Sequence, residues 1–389
     1  MERRFWTVCL THMFLETYYL IQVALIPVFI REFQLTLLEA SLVATVPSLV
    51  QLLMNLPAGL LADRVNTKYL LSMSMFTEGL SALAVSRTNS FWLLVLGVSA
   101  MRVSSPIYHV SGLSLISRLV KPDRMNRSMG FHNALGSFGV AMGLLSLAVF
   151  LSTTGWRMIY VFWSVPILVW GLFLLRSRQF QASRTITNKP ERREALGRLP
   201  LVFSSAFLIF LVATGLREVG STGTSTFMTT YFVEERRLSE AVASLVFGLG
   251  PFMGIAGSLN GGYLGEKMGA KKTLDVLMLG CILSLSVLAM SAQLPLLILG
   301  YLVYAFFSNS VWSPLNTMVA DLTPATDRGL SFSVYFFTEG LIVSATPTIA
   351  ATVIGFTDIW HIFPFSILFF AACMVTFQLL STRAKKSAL

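Results

Sequence analysis

A ten-residue stretch, Gly59-Leu-Leu-Ala-Asp63-Arg64-Val-Asn66-Thr-Lys68, returns in altered form half a chain later as Gly262-Tyr-Leu-Gly-Glu266-Lys267-Met-Gly269-Ala-Lys271. The offset is 203 positions throughout, pairing Gly59 with Gly262, Asp63 with Glu266, Arg64 with Lys267 and Lys68 with Lys271. Trp156 and Trp360, each opening a late apolar segment of its half, keep nearly the same spacing. A chain of 389 residues that repeats in this way is two homologous halves. Each half carries the same charged hairpin between apolar segments.

Composition identifies the solvent. The chain is 54% hydrophobic and 12% charged, with a mean hydropathy of +0.70, whereas soluble domains carry about 25% charged residues. A bilayer core of about 30 Å, at about 1.5 Å rise per residue, needs about 20 residues per helical span. Twelve segments meet that length, at 5–30, 37–62, 69–86, 90–119, 126–151, 156–176, 200–232, 239–265, 272–292, 294–320, 328–355 and 359–381. The expected fold is therefore an all-α membrane protein with twelve transmembrane helices in two pseudo-symmetric six-helix bundles. The first apolar stretch is long for a signal peptide and lacks a small-residue cleavage site, so it is expected to be a retained first span.

Charge placement predicts orientation. Of the 29 Lys and Arg residues, 22 fall at the termini or on even-numbered loops, among them Arg3, Arg64, Lys68, Lys121, Lys271 and Arg328. Five lie on odd-numbered loops, and two, Arg102 and Arg217, sit inside spans. The positive-inside rule then places both termini in the cytoplasm of a cell (inner) membrane. The net charge of +10 is spread over short loops, so topology explains it and no nucleic-acid partner is expected. Residues 1–176 read as an N-terminal bundle, 177–199 as a polar cytoplasmic linker and 200–389 as a C-terminal bundle.

Little suggests chemistry of other kinds. Cys9, Cys281 and Cys373 lie far apart within apolar spans, as small core residues do. His12, His109, His132 and His361 lack the local spacing of a metal cluster, so no metal and no cofactor are expected. No nucleophile–base set is apparent, which argues against an enzyme.

The charged hairpin between the second and third spans resembles the loop motif of the major facilitator superfamily, and the twelve spans, long middle loop and repeat extend that resemblance over the whole chain. The resemblance implies that the hairpin glycine allows close helix packing and that the acid and bases lock a cytoplasmic gate. Gly59, Asp63, Arg64 and Lys68, with Gly262, Glu266, Lys267 and Lys271, would then be gating residues. Asn66 stands where the family usually has Gly, although Asn tolerates a left-handed turn. Three further stretches resemble the branch that contains fosmidomycin-resistance proteins: Ser105-Pro-Ile-Tyr108-His109-Val-Ser-Gly112, Gly130-Phe-His132-Asn133-Ala-Leu-Gly136-Ser-Phe-Gly139 and Gly215-Leu-Arg217-Glu218. Val110 and Leu144 depart from it where prolines are usual.

A charge at mid-bilayer costs about 2.5–3.5 kcal/mol on insertion scales, so it normally faces a cavity or a partner. Glu16, Glu78, Arg102, Arg217, Glu218 and Glu339 qualify. His12, Glu16 and Tyr19 follow an i, i+4, i+7 stripe that shares one helix face. Arg102 and His109 are likewise seven apart, with Pro106 between them as a kink. His132 continues onto Gly136, Gly139 and Gly143, a smooth face suited to close packing. Arg217 and Glu218 point about 100° apart, so at most one is expected at a cavity centre. Asn309, Trp312 and Asn316 form another i, i+3, i+7 stripe. The family fold places helices 1, 4, 7 and 10 around the cavity, which leaves Glu78, on the third, as structural. Each remaining charge reads as a site residue or as half of a buried bridge that only fastens helices.

The resulting expectation is a secondary active transporter that moves a small organic solute by alternating access, proton-coupled and exporting a drug or anionic compound. Substrate would meet Arg102, Arg217, Tyr19, His132, Asn133, Asn309 and Trp312, since arginines offer forked donors to a carboxylate, phosphate or phosphonate. Carboxyls in a low-dielectric cavity can take up a proton near neutral pH, which makes Glu16, Glu218 and Glu339 the proton-coupling candidates. A small molecule, protons and the lipid bilayer are the expected partners, and a monomer suffices. Facilitated uniport or uptake symport is the alternative within transport. A non-transporting membrane sensor is the alternative outside it.

Overall fold

The computed structural model describes residues 3–121, 125–177, 204–323 and 328–380; the side chains of 62, 63, 117, 118, 125–127 and 328–330 lie outside that description. These residues are helical nearly throughout, with no strand among them. Among the described residues, ten helices are long and apolar enough to cross a membrane, and an eleventh span is counted if the bent pair Arg3–Ala24 and Ile26–Phe33, angled at 52°, is taken as one. The remaining expected span, the third, is a 20-residue helix, Thr67–Ser86. It is long enough to cross but less apolar, because it carries Glu78 and a run of hydroxyl side chains, and it buries Leu70, Leu71, Met75, Glu78 and Ala82.

The described residues form two compact units, Met1–Thr187 with Thr226–Phe252, and Asn188–Ser225 with Met253–Leu389. In the first, the order is α1 (Arg3–Glu16), α2 (Ile21–Ala24), α3 (Ile26–Phe33), α4 (Leu37–Arg64), α5 (Thr67–Ser86), α6 (Phe91–Arg102), α7 (Ser104–Leu119), α8 (Met125–Thr153) and α9 (Arg157–Arg176). Helix α10 (Ser205–Thr230) ends in a π-helical turn, Tyr231–Glu235. Then follow α11 (Glu240–Met268), α12 (Ala270–Met290), α13 (Leu294–Asn309), α14 (Trp312–Leu322), α15 (Arg328–Gly355), a 3₁₀ turn at Ile359–His361 and α16 (Ile362–Gln378).

Local chemistry sets the helix boundaries. Thr36 and Glu39 close a capping box at the start of α4, with the Thr36 hydroxyl accepting from the Glu39 N–H at 3.2 Å and Glu39 accepting from the Thr36 N–H at 2.8 Å. Proline accounts for three interruptions, since it cannot donate to the carbonyl four residues back. Pro27 frees the Val23 carbonyl at the α2–α3 bend, and the Thr229 hydroxyl donates to it at 3.3 Å. Pro106 frees the carbonyl of Arg102, where α6 ends, and α7 begins two residues later. Pro314 does the same for Ser310, between α13 and α14. The expected kink in the fourth span is thus a break at Val103, and the tenth span repeats it.

Glycines let backbones meet. Helix α8 lies along α1, and a Cβ built at Gly139 or Gly143 would overlap the carbonyl oxygen of Met13 or Thr17. In the second unit Gly257 and Gly261 of α11 stand in the same way against the Phe306 and Ser310 carbonyls. The smooth face read from His132 to Gly143 is the one that packs on α1.

Candidate functional site

Two polar clusters lie inside the helices, one in each unit. The first begins where α1 stops. The stripe His12–Glu16–Tyr19 holds only as far as Glu16, because residues 17–20 tighten into three-residue turns, with Tyr19 N–H donating to the Glu16 carbonyl at 3.0 Å and Ile21 N–H to the Tyr18 carbonyl at 3.2 Å. Tyr19 therefore sits in the break and not on the helix face. Its freed carbonyl accepts from Arg102 Nη2 at 2.5 Å and from Gln22 Nε2 at 3.1 Å. The Arg102 guanidinium also lies 4.5 Å from the centre of the Tyr19 ring. A broken helix thus presents a carbonyl to a cation reaching across from another broken helix.

Glu16, Tyr19, Arg102, Gln22, Glu78 and Ser105 line a small cavity in this unit. Glu78, expected to be structural, is buried and accepts a hydrogen bond from Ser104 at the α6–α7 break. Against Glu16 stand His12 Nε2, at 3.4 Å, and His109 Nε2, at 3.8 Å. Their ligating atoms all lie within 4.8 Å of one another. The sequence reading, which looked for local spacing, missed this meeting of α1 and α7. His132 stacks on His12 at 3.9 Å between ring centres, nearly parallel at 8°. Its Nε2 lies 3.0 Å from the Tyr108 hydroxyl, which itself donates to the Val8 carbonyl at 2.9 Å. Asn133 Oδ1 is 3.1 Å from His132 Nδ1. His132 is 1% exposed, so it forms part of the wall behind His12 and does not face the cavity.

The second cluster is centred on Arg217, among the largest fully buried side chains of the described residues at 2% exposure. It pairs with its neighbour Glu218 on α10 and, at 3.4 Å, with Glu339 on α15. The 100° between successive side chains does not separate Arg217 from Glu218, because the arginine is long enough to turn back, and both are buried. Tyr335, which no sequence argument singled out, donates to Glu339 at 2.5 Å. It lies one helical turn before Glu339, the only signal that could have found it. Trp312 stands 5.2 Å from the guanidinium. Asn309 instead donates to the Ala305 carbonyl of its own helix at 2.8 Å, and the break at Ser310 and Val311 removes it from a common stripe with Trp312 and the exposed Asn316.

The charged hairpin lies where the sequence put it, between α4 and α5. A Cβ at Gly59 would meet nothing within 4 Å, so close packing is not what that glycine provides; Gly262 is little more confined, with Ser313 Oγ at 3.6 Å. Asn66 is extended, at φ −61°, and caps α5 by accepting from the Lys68 N–H at 3.0 Å. It makes no left-handed turn; its counterpart Gly269 does, at φ +82°. Two solutions thus serve one turn in the two halves. Arg64, Glu266 and Lys267 are exposed, Lys68 lies 5.7 Å over the Tyr69 ring, and Lys271 donates to the Leu380 carbonyl at 2.8 Å. The Asp63 side chain lies outside the described residues.

The Major Facilitator Superfamily model matches residues 8–347 and 210–388. The chain belongs to the major facilitator superfamily. Its many membrane-length helices make it a multi-pass membrane protein of that superfamily. Superfamily transporters of known structure share the fold: a bacterial homologue of the human lysosomal transporter Spinster, inward-facing and occupied, superposes with a TM-score of 0.81 at 15% identity over 98% of this chain and 96% of that one. The nucleoside transporter NupG gives 0.83 at 12% identity, over 97% and 100%. In sequence, the chain is 23% identical to the fosmidomycin resistance protein of Escherichia coli (strain K12) over 269 residues, 68% of this chain and 65% of that protein. A probable L-galactonate transporter of the same organism is 28% identical over 144 residues, 37% of this chain and 31% of that protein. The chain thus spans less than two thirds of either relative.

Proposed function

We propose that this superfamily member is a proton-coupled secondary transporter that exports a small anionic organic compound by alternating access. The observation that carries the reading is the buried set Arg217, Glu218 and Glu339. Ionised, these groups hold one positive and two negative charges, and an unpaired charge away from water is costly. A proton on one carboxyl balances the set, with Glu339 the better place because Glu218 keeps the arginine. Arg217, paired through Nη2 with both acids, then serves the proton and not the substrate.

Arg102 takes the anion. It lies beside the cavity, and its guanidinium is held by the Tyr19 carbonyl and ring, with no carboxylate paired to it among the described contacts. The fosmidomycin resistance protein among the relatives favours a phosphonate as the first compound to try. The division into an N-terminal bundle, 1–176, a linker, 177–199, and a C-terminal bundle, 200–389, belongs to the same proposal, as do cytoplasmic termini, a cell-membrane location and a monomer. The hairpin residues Asp63, Arg64 and Lys68 and their partners in the second half act on the gate.

The test is flux of labelled fosmidomycin into liposomes holding the purified protein, under an imposed pH gradient. Gradient-driven uptake that Arg102→Ala abolishes supports the reading. Flux indifferent to the gradient makes the protein a uniporter and overturns proton coupling.

A further inference from the structure

The histidines of the first unit carry one more inference. His12 Nδ1 lies 3.0 Å from the His132 backbone carbonyl, and His109 Nδ1 lies 2.9 Å from the Ser105 carbonyl. A carbonyl oxygen only accepts, so in both rings Nδ1 carries a proton. In the neutral rings both Nε2 atoms present lone pairs, and both face the same oxygen of Glu16, at 3.4 and 3.8 Å. With both rings neutral, three acceptors converge on one point, and either a proton or a metal ion between them relieves the repulsion.

We propose that His12, Glu16 and His109 bind one divalent transition-metal ion. Two imidazoles and a carboxylate suit a borderline ion such as Zn²⁺ or Co²⁺. With bonds of about 2.0–2.1 Å, tetrahedral ligand atoms stand about 3.3 Å apart. The His12–Glu16 separation meets that spacing, and the His109 ring closes the rest by a small rotation, because it is only half-buried. Nδ1–H groups held by backbone carbonyls are the arrangement that fixes metal-ligating histidines. His12 is held further by stacking on His132 and by Gly136, whose lack of a side chain leaves room for the imidazole: a Cβ there would lie 2.7 Å from His12 Nδ1. Glu16 opens on the small cavity that Arg102 also lines, which places the ion at the wall of that cavity. The Arg102 charge opposes it and keeps the affinity moderate. This site stands apart from the transport reading: the ion binds whether or not the protein moves an organic anion.

The experiment uses the full chain, free of any histidine tag, purified in detergent and stripped with a chelator. Titration with Co²⁺ is read by its visible ligand-field absorption, followed by displacement with Zn²⁺. One Co²⁺ per chain is expected, with binding weakened at least on the order of tenfold in His109→Gln and in Glu16→Gln, since even outer-shell changes cost about 10- to 100-fold. Gly136→Ala, which displaces the His12 ring without removing a ligand, weakens it as well. His361→Gln, an exposed histidine paired with Asp358 at 3.0 Å, leaves it unchanged. The wild type supplies a second readout that needs no variant: Zn²⁺ shields His12 and His109, and not His361, from acylation by diethyl pyrocarbonate, located by mass spectrometry. Absence of Co²⁺ binding to the wild type, binding that survives the His12→Gln/His109→Gln double change, or equal acylation with and without Zn²⁺ overturns the proposal.

Discussion

Replacing Arg217 by Gln tests the buried charge set most severely. Among the described residues the guanidinium is the one cation paired with two carboxylates, Glu218 and Glu339, that are 5% and 6% exposed. Its removal leaves both acids without a counter-charge, and breaking a buried pair from one side costs about 3–5 kcal/mol. At about 2 °C per kcal/mol, the low end for large domains, the melting temperature falls roughly 6–10 °C. Glu339→Gln is the informative contrast. The Arg217–Glu218 pair survives, and the amide oxygen still accepts from Tyr335, so the loss is one hydrogen bond of about 0.5–1.5 kcal/mol, or roughly 1–3 °C. The double variant Arg217→Gln/Glu339→Gln recovers part of the loss, because only one carboxylate remains to neutralise. Scanning fluorimetry of ligand-free protein in detergent at pH 7.5 reads all three. An Arg217→Gln variant within 2 °C of wild type, or a Glu339→Gln variant that falls as far, refutes the reasoning.

Three other substitutions follow from the backbone. Gly143→Ala drives a methyl into the Thr17 carbonyl, which cannot yield as a side chain could, and costs about 1–3 kcal/mol by thermal scan, whereas Gly59→Ala, facing open space within α4, gains up to about 1 kcal/mol. Gly269→Ala forces a Cβ at φ +82° and costs about 1–2 kcal/mol, while Asn66→Gly in the matching turn costs only about a few tenths, because glycine is a tolerable helix cap. Pro106→Ala returns an N–H to the Arg102 carbonyl and straightens the fourth span, which draws Arg102 away from Tyr19. Anion binding, measured by calorimetry, then weakens on the order of tenfold, as for the loss of one charge-assisted hydrogen bond.

Much of this was legible in the sequence, for reasons that differ by residue. The spans declare themselves through length and apolarity, the third least of all because Glu78 and several hydroxyl side chains dilute it. Pro106 announced a distortion because proline removes a donor, although Pro47, Pro57 and Pro166 stand inside helices that continue. The glycines of α8 announced close packing because only a backbone can fill the space they leave. Other features depend on partners that spacing cannot supply. The α1 break at residues 17–20 has no proline; it rests on Thr17 packing under Gly143 and on Arg102 reaching the Tyr19 carbonyl, both distant in sequence. His12 and His109 are 97 positions apart and meet only through the packing of α1 on α7. Gly59 misled for the opposite reason: the family motif suggested tight packing where the helix faces open space.

Proton translocation measured directly bears hardest on the account. Liposomes carrying the protein and an internal pH-sensitive dye, with fosmidomycin added outside and no initial gradient, report whether substrate entry moves protons. Wild-type protein is expected to give a substrate-dependent pH change that Glu339→Gln abolishes while binding of the compound persists. An unchanged internal pH during measurable wild-type flux, or a full pH response from Glu339→Gln, contradicts the claim that the buried Arg217 set carries the coupling proton.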